Sequence, residues 1–297
     1  MKFTITIFLT TLFASINTVS ADENSDSISS KVSGSGEDVV LIPGLMSDSR
    51  VWQDTAKALE KNYRVHQLSI AGFGSQPYNP ALRQHFTQPV VDAVSNYINQ
   101  QTSGNAAVVG HSLGGFLGYK LALTDTPNVS CVISVDGVPF FSSLVMMTPS
   151  FTAEQAEPQA KQLLSSYQQM SAATMAQQTK AGMARQTAST AGQQTIMAMA
   201  KTSDPKTVGR AMYELMTTDL RAQLNQLSVP VLQMAATGAI PAAYRSSAIQ
   251  HYQNQVSGSD LVTLVEFDQA RHFIMWDQPQ AFIKQTTDFI EERCHAQ

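Results

Sequence analysis

The sequence predicts a doubly wound α/β fold, a mostly parallel sheet with helices on both faces, carrying one helical insertion. Three observations predict it. Short apolar, β-branched runs recur along the chain, and they are continuous, as in strands covered on both faces, instead of alternating. Most are followed by turn residues and then by apolar positions at helical spacing. The alternation stops once, between Phe140 and Ala222, where no strand signal occurs.

The elements follow in order. Met1-Lys2 and the apolar residues 3–13 lead to Val19-Ser20-Ala21, small residues at −3 and −1 of a cleavage point, so residues 1–21 read as a signal peptide cleaved after Ala21. The protein is therefore expected to be secreted or periplasmic. Residues 22–37, rich in Ser and Gly, read as a flexible linker. Strands are expected at Val39–Ile42, Arg64–Leu68, Ala106–Val109, Cys131–Val135, Val229–Met234 and Leu261–Phe267. One helix places Phe86, Val90, Val94, Tyr97 and Ile98 on a common face, and a last helix runs from Pro279 through Ile283, Thr287 and Ile290. The core is thus 38–139 plus 223–297, and 140–222 forms a helical cap. Within the cap, Asp204-Pro205 opens a helix with proline at its first position. Nine of the 13 methionines lie there, which suits either gap-filling between helices or a deformable apolar lid over a cleft.

Composition narrows the function. The 297 residues are 43% hydrophobic, enough for a real core, and 14% charged, with a net charge of −4 and no basic run. Phosphate neutralisation needs clustered Lys and Arg, so nucleic-acid binding is excluded. No segment reaches the roughly 18 apolar residues that a membrane span requires, so no stable membrane anchor is expected. Export permits a disulfide, but a chain of this size does not depend on one. Cys131 and Cys294 are read as two inert thiols, with a bridge as the alternative, and their spacing builds no metal site.

The chemistry is concentrated at Gly110-His111-Ser112-Leu113-Gly114. A G-x-S-x-G run between an apolar strand and a helix makes a sharp turn that lifts the serine oxygen above the sheet edge. With Leu41-Ile42-Pro43-Gly44-Leu45, Ala71-Gly72-Phe73-Gly74-Ser75, Val229-Pro230-Val231-Leu232 and Ala270-Arg271-His272-Phe273 in the same order, the sequence resembles the α/β-hydrolase superfamily over nearly all of residues 22–297. That resemblance implies an α/β-hydrolase fold with a cap, and a serine nucleophile, Ser112, served by a base in the loop after the last strand, His272. It also exposes two departures. The two-strand edge with which family members usually begin is truncated or absent here. The usual acid position, about ten residues beyond Val229-Pro230, falls on Ala239, and no Asp or Glu occurs between Asp219 and Asp260.

A histidine without its carboxylate loses the preferred tautomer, at a cost of about 10⁴-fold in turnover. Asp136, at the end of the strand after the one bearing Ser112, is the candidate acid, and certain haloalkane dehalogenases resemble this arrangement in placing their acid after the same strand. Asp268 and Glu266 are weaker candidates. Asp219 is expected to fix the return from the cap, and Asp277 to cap the last helix. Of the other histidines, His66 and His251 read as surface positions, His85 opens a helix, His295 sits in the tail, and the His111 ring is expected to point away from Ser112. The resemblance implies backbone oxyanion donors at Leu45 and Leu113. The expected function is therefore hydrolysis of an ester, or a related acyl bond, of a small to medium apolar substrate, with no cofactor or metal implied. The alternatives are a C–C hydrolase or acyltransferase with the same triad, or a catalytically weak binding protein on the same scaffold.

Overall fold

The structure is a computed structural model that describes residues 27–124 and 128–294. The expected leader, its cleavage point and His295 lie outside these residues. Seven strands form one sheet: β1 (Ile28–Gly34), β2 (Glu37–Ile42), β3 (Tyr63–Ile70), β4 (Ala106–His111), β5 (Val129–Val135), β6 (Val231–Ala236) and β7 (Val262–Phe267). Their order is β1-β3-β2-β4-β5-β6-β7, parallel throughout except where β1 pairs antiparallel with β3, Ile28 opposite Ile70.

The helices outside the insertion are α1 (Gln53–Leu59), α2 (Thr87–Gln101) and α3 (Leu113–Leu123). Between β5 and β6 lie α4 (Phe141–Val145), α5 (Ala153–Gln169), α6 (Ala172–Gln186), α7 (Thr190–Ala200) and α8 (Pro205–Thr217). The chain then continues through α9 (Ala242–Val256), α10 (Ile274–Asp277) and α11 (Pro279–Arg293). Successive residues of a strand face opposite sides. Val40, Ile42, Val108 and Val132 therefore pack with α2 and α3, while Val39, Leu41, Val109 and Ile133 pack with α1 and α11. Both faces are thus closed and β4 and β5 are wholly buried, which is why they read as unbroken apolar runs.

Several expectations require correction. The segment 22–37 is not simply a tether, because residues 28–34 form β1; its side chains are largely exposed, so no hydrophobic period announced it. The sheet edge is accordingly shortened to one antiparallel strand and not absent. Strand β7 lies at the opposite edge, and most of it is only partly covered. Helix α11 buries Phe282, Thr286, Phe289 and Ile290, a face rotated from the expected Ile283 and Thr287.

His66 is fully buried, its Nε2 2.8 Å from Asp38 Oδ1 and its Nδ1 2.8 Å from the Tyr97 hydroxyl. His85 is exposed, two residues before α2. Cys131 and Cys294 are not two thiols: they form a disulfide with Cα atoms 5.1 Å apart, tying a central strand to the last helix. Closing a loop of 163 residues restricts the unfolded chain, an effect typically worth about 2–4 kcal/mol.

Candidate active site

Strand β4 delivers its chain into a turn at Ser112, whose φ of 53° and ψ of −116° lie in the left-handed half of conformational space. The turn is held by the Ser112 N–H, which donates to the Val135 carbonyl at 2.8 Å, and by the Ser112 carbonyl, which accepts from Gly115 N at 2.9 Å. The flanking glycines are a steric requirement. A Cβ at Gly110 would fall on the Gly114 carbonyl, and one at Gly114 on the Ile42 carbonyl. Within this turn the positive φ falls on the residue whose side chain lines the cavity, as in a nucleophile elbow.

Asp136 follows β5 with a φ of 54°, its N–H bonded to the Met234 carbonyl at 3.0 Å. Its carboxylate leans towards the neighbouring strand and accepts from Ala236 N at 2.9 Å and from the Tyr252 hydroxyl at 2.6 Å, both on Oδ1. Its Oδ2 lies 2.6 Å from His272 Nδ1. A carboxylate from the end of β5 thus occupies space beside the end of β6, where the usual acid position holds none. Asp268 is exposed and Glu266 accepts the Thr237 hydroxyl, so neither meets His272.

Ser112, Asp136, His272 and Leu45 line one cavity of about 390 Å³ between the ends of the strands and the insertion. Leu113 is fully buried as the first residue of α3, and its N–H therefore has no acceptor within the helix. Leu45 sits in a turn closed from Ser47 N to the Gly44 carbonyl at 3.1 Å, with Met46 at a φ of 58°. A Cβ on Gly44 would come 2.8 Å from His111 Nδ1 and 3.1 Å from Ser112 Cβ, so only glycine lets this turn approach the serine.

Three residues gain roles that sequence reasoning missed. His111 lines the cavity, with Nε2 donating to the His272 carbonyl at 3.1 Å and its ring tilted by 39° to that of Phe273 at 4.3 Å. Burial, and then the nearby His272, hold its pKa well below the usual value, so it is a neutral donor. Tyr252 of α9 is buried, and desolvation followed by the adjacent Asp136 carboxylate pushes its pKa well up, keeping it a hydroxyl donor to that carboxylate. Asp277 does not cap α11, whose N-cap is Gln278; it bonds the chain before His272 instead. Only the G-H-S-x-G run hinted at His111. Tyr252 and Asp277 carry no sequence signal for their contacts.

Most of the rest of the cavity wall is apolar, and the insertion supplies most of it, including Met175, Met199 and Met212 of the nine methionines noted above. Met183 and Met216 are buried elsewhere, while Met146 and Met147 are exposed. Asp219, as expected, holds the return from the insertion, pairing with Arg221 at 2.6 Å while Arg221 reaches the Phe151 carbonyl at 2.9 Å. Among the described residues, no group of three or more His, Cys, Asp or Glu side chains is placed to hold a metal, and no helix is long and apolar enough to cross a membrane.

A serine on an elbow at the strand ends shares one cavity with an imidazole braced by a carboxylate, an arrangement that fits an α/β-class hydrolase. The family comparison agrees: the profile of the Alpha/beta hydrolase family matches residues 39–285, and the chain belongs to that family as a hydrolase. It is 25% identical over 261 residues to pimeloyl-[acyl-carrier protein] methyl ester esterase of Vibrio cholerae, a match covering 87% of this chain and 96% of that protein. The protein of the same name from Vibrio atlanticus is 26% identical over 275 residues, covering 90% and 100%. Among solved structures, an enol-lactonase from Burkholderia xenovorans and an esterase from Exiguobacterium antarcticum each superpose with a TM-score of 0.70 at 19% identity, covering 89% of this chain and 96% of theirs. At that identity, they attest the fold alone.

Proposed function

We propose that this protein is a serine esterase that cleaves a small to medium, largely apolar carboxylic ester through an acyl-enzyme. The observation that carries this reading is the 2.6 Å contact between His272 Nδ1 and Asp136 Oδ2. It gives the histidine its acid at a position where the usual slot holds alanine. Ser112 Oγ attacks the ester carbonyl carbon and its proton passes to His272 Nε2. The developing oxyanion is received by the N–H groups of Leu45 and Leu113, each such donor being worth about 3–4 kcal/mol in the transition state. Collapse of the tetrahedral adduct expels the alcohol, which takes the proton from His272. Water activated by the same imidazole then releases the acid. Asp136 accepts the Nδ1–H and stabilises the imidazolium in both steps.

The substrate class rests on the wall. No Lys or Arg lines the cavity, and its volume of about 390 Å³ admits an acyl chain of modest length. The relatives, named as pimeloyl-[acyl-carrier protein] methyl ester esterases, support an ester over a C–C bond. Export is part of the proposal. Its support is the leader-like pattern of residues 1–21 together with the buried Cys131–Cys294 bridge, since such bonds persist in oxidising compartments.

The test is labelling with a fluorophosphonate probe and turnover of p-nitrophenyl esters graded by acyl length. Wild-type protein is expected to label and to hydrolyse short and medium esters, and Ser112→Ala to do neither. Equal labelling of Ser112→Ala would refute the assignment. Amino-terminal sequencing of protein recovered outside the cytoplasm, expected to begin at Asp22, tests export.

A further inference from the structure

The backbone around His272 is fastened on every side, and one carboxylate sits at the corner. The Arg271 N–H donates to Asp277 Oδ2 at 2.9 Å, the His272 N–H to the Arg185 carbonyl at 3.3 Å, and the Phe273 N–H to the Gln186 carbonyl at 2.9 Å. Arg271 Nη1 also donates to the Thr187 carbonyl at 3.1 Å. Two of these acceptors end α6 and a third follows it, so the histidine loop and the α6–α7 connection are laced together. Asp277 closes the lacing from the other side: its Oδ1 accepts the hydroxyl of the fully buried Thr187 at 2.5 Å and the Ala188 N–H at 2.9 Å. Below, Trp276 stacks on Phe273 at 4.4 Å, and α7 presses onto Trp276 where Gly192 has no Cβ to obstruct it.

We propose that Asp277 is a positioning residue for His272, and that the docking of the insertion and the placement of the histidine are one structure held through that carboxylate. The inference rests on the proposed serine esterase mechanism for its kinetic consequence. The physical reason is donor satisfaction. Three donors from two segments converge on two oxygens, and an amide in that place must aim an N–H at one of them, leaving a donor without its acceptor. Freed at Arg271, or at Ala188 on the connection that braces it, the loop carrying His272 shifts against Ser112. A displacement of the order of 1 Å from reacting geometry can cost about 10²-fold in rate.

The experiment compares wild type with Asp277→Asn, Asp277→Glu and Thr187→Val, using kinetics on p-nitrophenyl acetate and the low-field proton resonance between His272 Nδ1 and Asp136. Asp277→Asn is expected to lower kcat ten- to hundredfold with KM within about twofold, and to shift or broaden the resonance. Asp277→Glu, which keeps both acceptor oxygens, is expected to recover most of kcat. Thr187→Val, which removes one donor on the insertion side and none on the histidine side, is expected to show the same pattern more weakly; it carries the test if Asp277→Asn does not fold. Unchanged kcat and an unchanged resonance in Asp277→Asn, with only a lower Tm, would overturn the proposal. The resonance reads histidine placement whether or not the ester is turned over. Its loss in Asp277→Asn supports the inference, and its retention sinks it, even if the esterase reading fails.

Discussion

The floor and the roof of the cavity are built on different principles. On the floor, the carboxylate and the histidine loop are held by named neighbours: Asp136 by Ala236 N, Tyr252 and His272, and the His272 carbonyl by His111. The roof presents methionine, leucine and tyrosine side chains and the bare backbone of Gly182, with Gln178, Thr179 and Gln186 as its polar points. Electrostatic catalysis needs groups that do not reorganise during reaction, whereas an apolar wall needs only volume and shape. The difference therefore separates rate from selectivity: floor substitutions should lower turnover of every ester, and roof substitutions should re-rank esters.

The most severe way to break that division is Asp136→Asn. Turnover of p-nitrophenyl acetate is expected to fall about 10⁴-fold, for short and long esters alike, while the circular-dichroism spectrum is unchanged. Activity within about threefold of wild type would remove Asp136 from the floor.

The roof is tested at Gly182. Glycine inside a helix costs about 1 kcal/mol relative to alanine. The other glycines of α7 and α8, Gly192 and Gly209, are wedged against Trp276 and Tyr167, but a Cβ at Gly182 would meet nothing within 4 Å. Gly182 lines the cavity, so its missing side chain is space for substrate. Gly182→Leu is expected to change the kcat/KM ratio of butyl to decyl acyl esters at least tenfold, since each methylene of fit is worth about 1–3 kcal/mol. Fluorophosphonate labelling should continue at the wild-type rate. A uniform loss across the ester series would erase the distinction between roof and floor.

The smallest expected effect lies at the other end of the sheet. Burial raises the Asp38 pKa, but hydrogen bonds from the Ser103 backbone and hydroxyl, followed by His66, outweigh it and leave the carboxyl below its ordinary value. A folded-state pKa below the unfolded one contributes stability that is present above the unfolded pKa and is lost as pH falls through the folded one. Asp38→Asn is therefore expected to lower Tm at neutral pH, by about 1–3 kcal/mol of stability, and to flatten the fall of Tm with acidification. Because the network lies far along β2 and β3 from Ser112, the kcat of folded protein should not change.

Much of the candidate site is legible in the sequence. Ser112 and the glycines beside it are a local device: the turn's sterics are settled within five residues, so its pattern survives in one dimension. His272 was legible by its place after the last strand. Asp136 was reachable only by elimination, since the usual slot held Ala239. The Tyr252 hydroxyl, the Thr187–Asp277 contact and the His111 orientation join segments 90 to 161 residues apart in this chain. No short-range period records such partners.

Local sequence pattern suffices for the alternation of strands and helices, the elbow serine and the break for the insertion, because backbone geometry and the burial of strand faces act over a few neighbouring residues. The exposed strand β1, the rotated buried face of α11, the Cys131–Cys294 bridge and the buried His66–Asp38 pair were decided only in three dimensions. Each depends on which distant surface lies opposite, and that distance is set by the packing of the whole sheet.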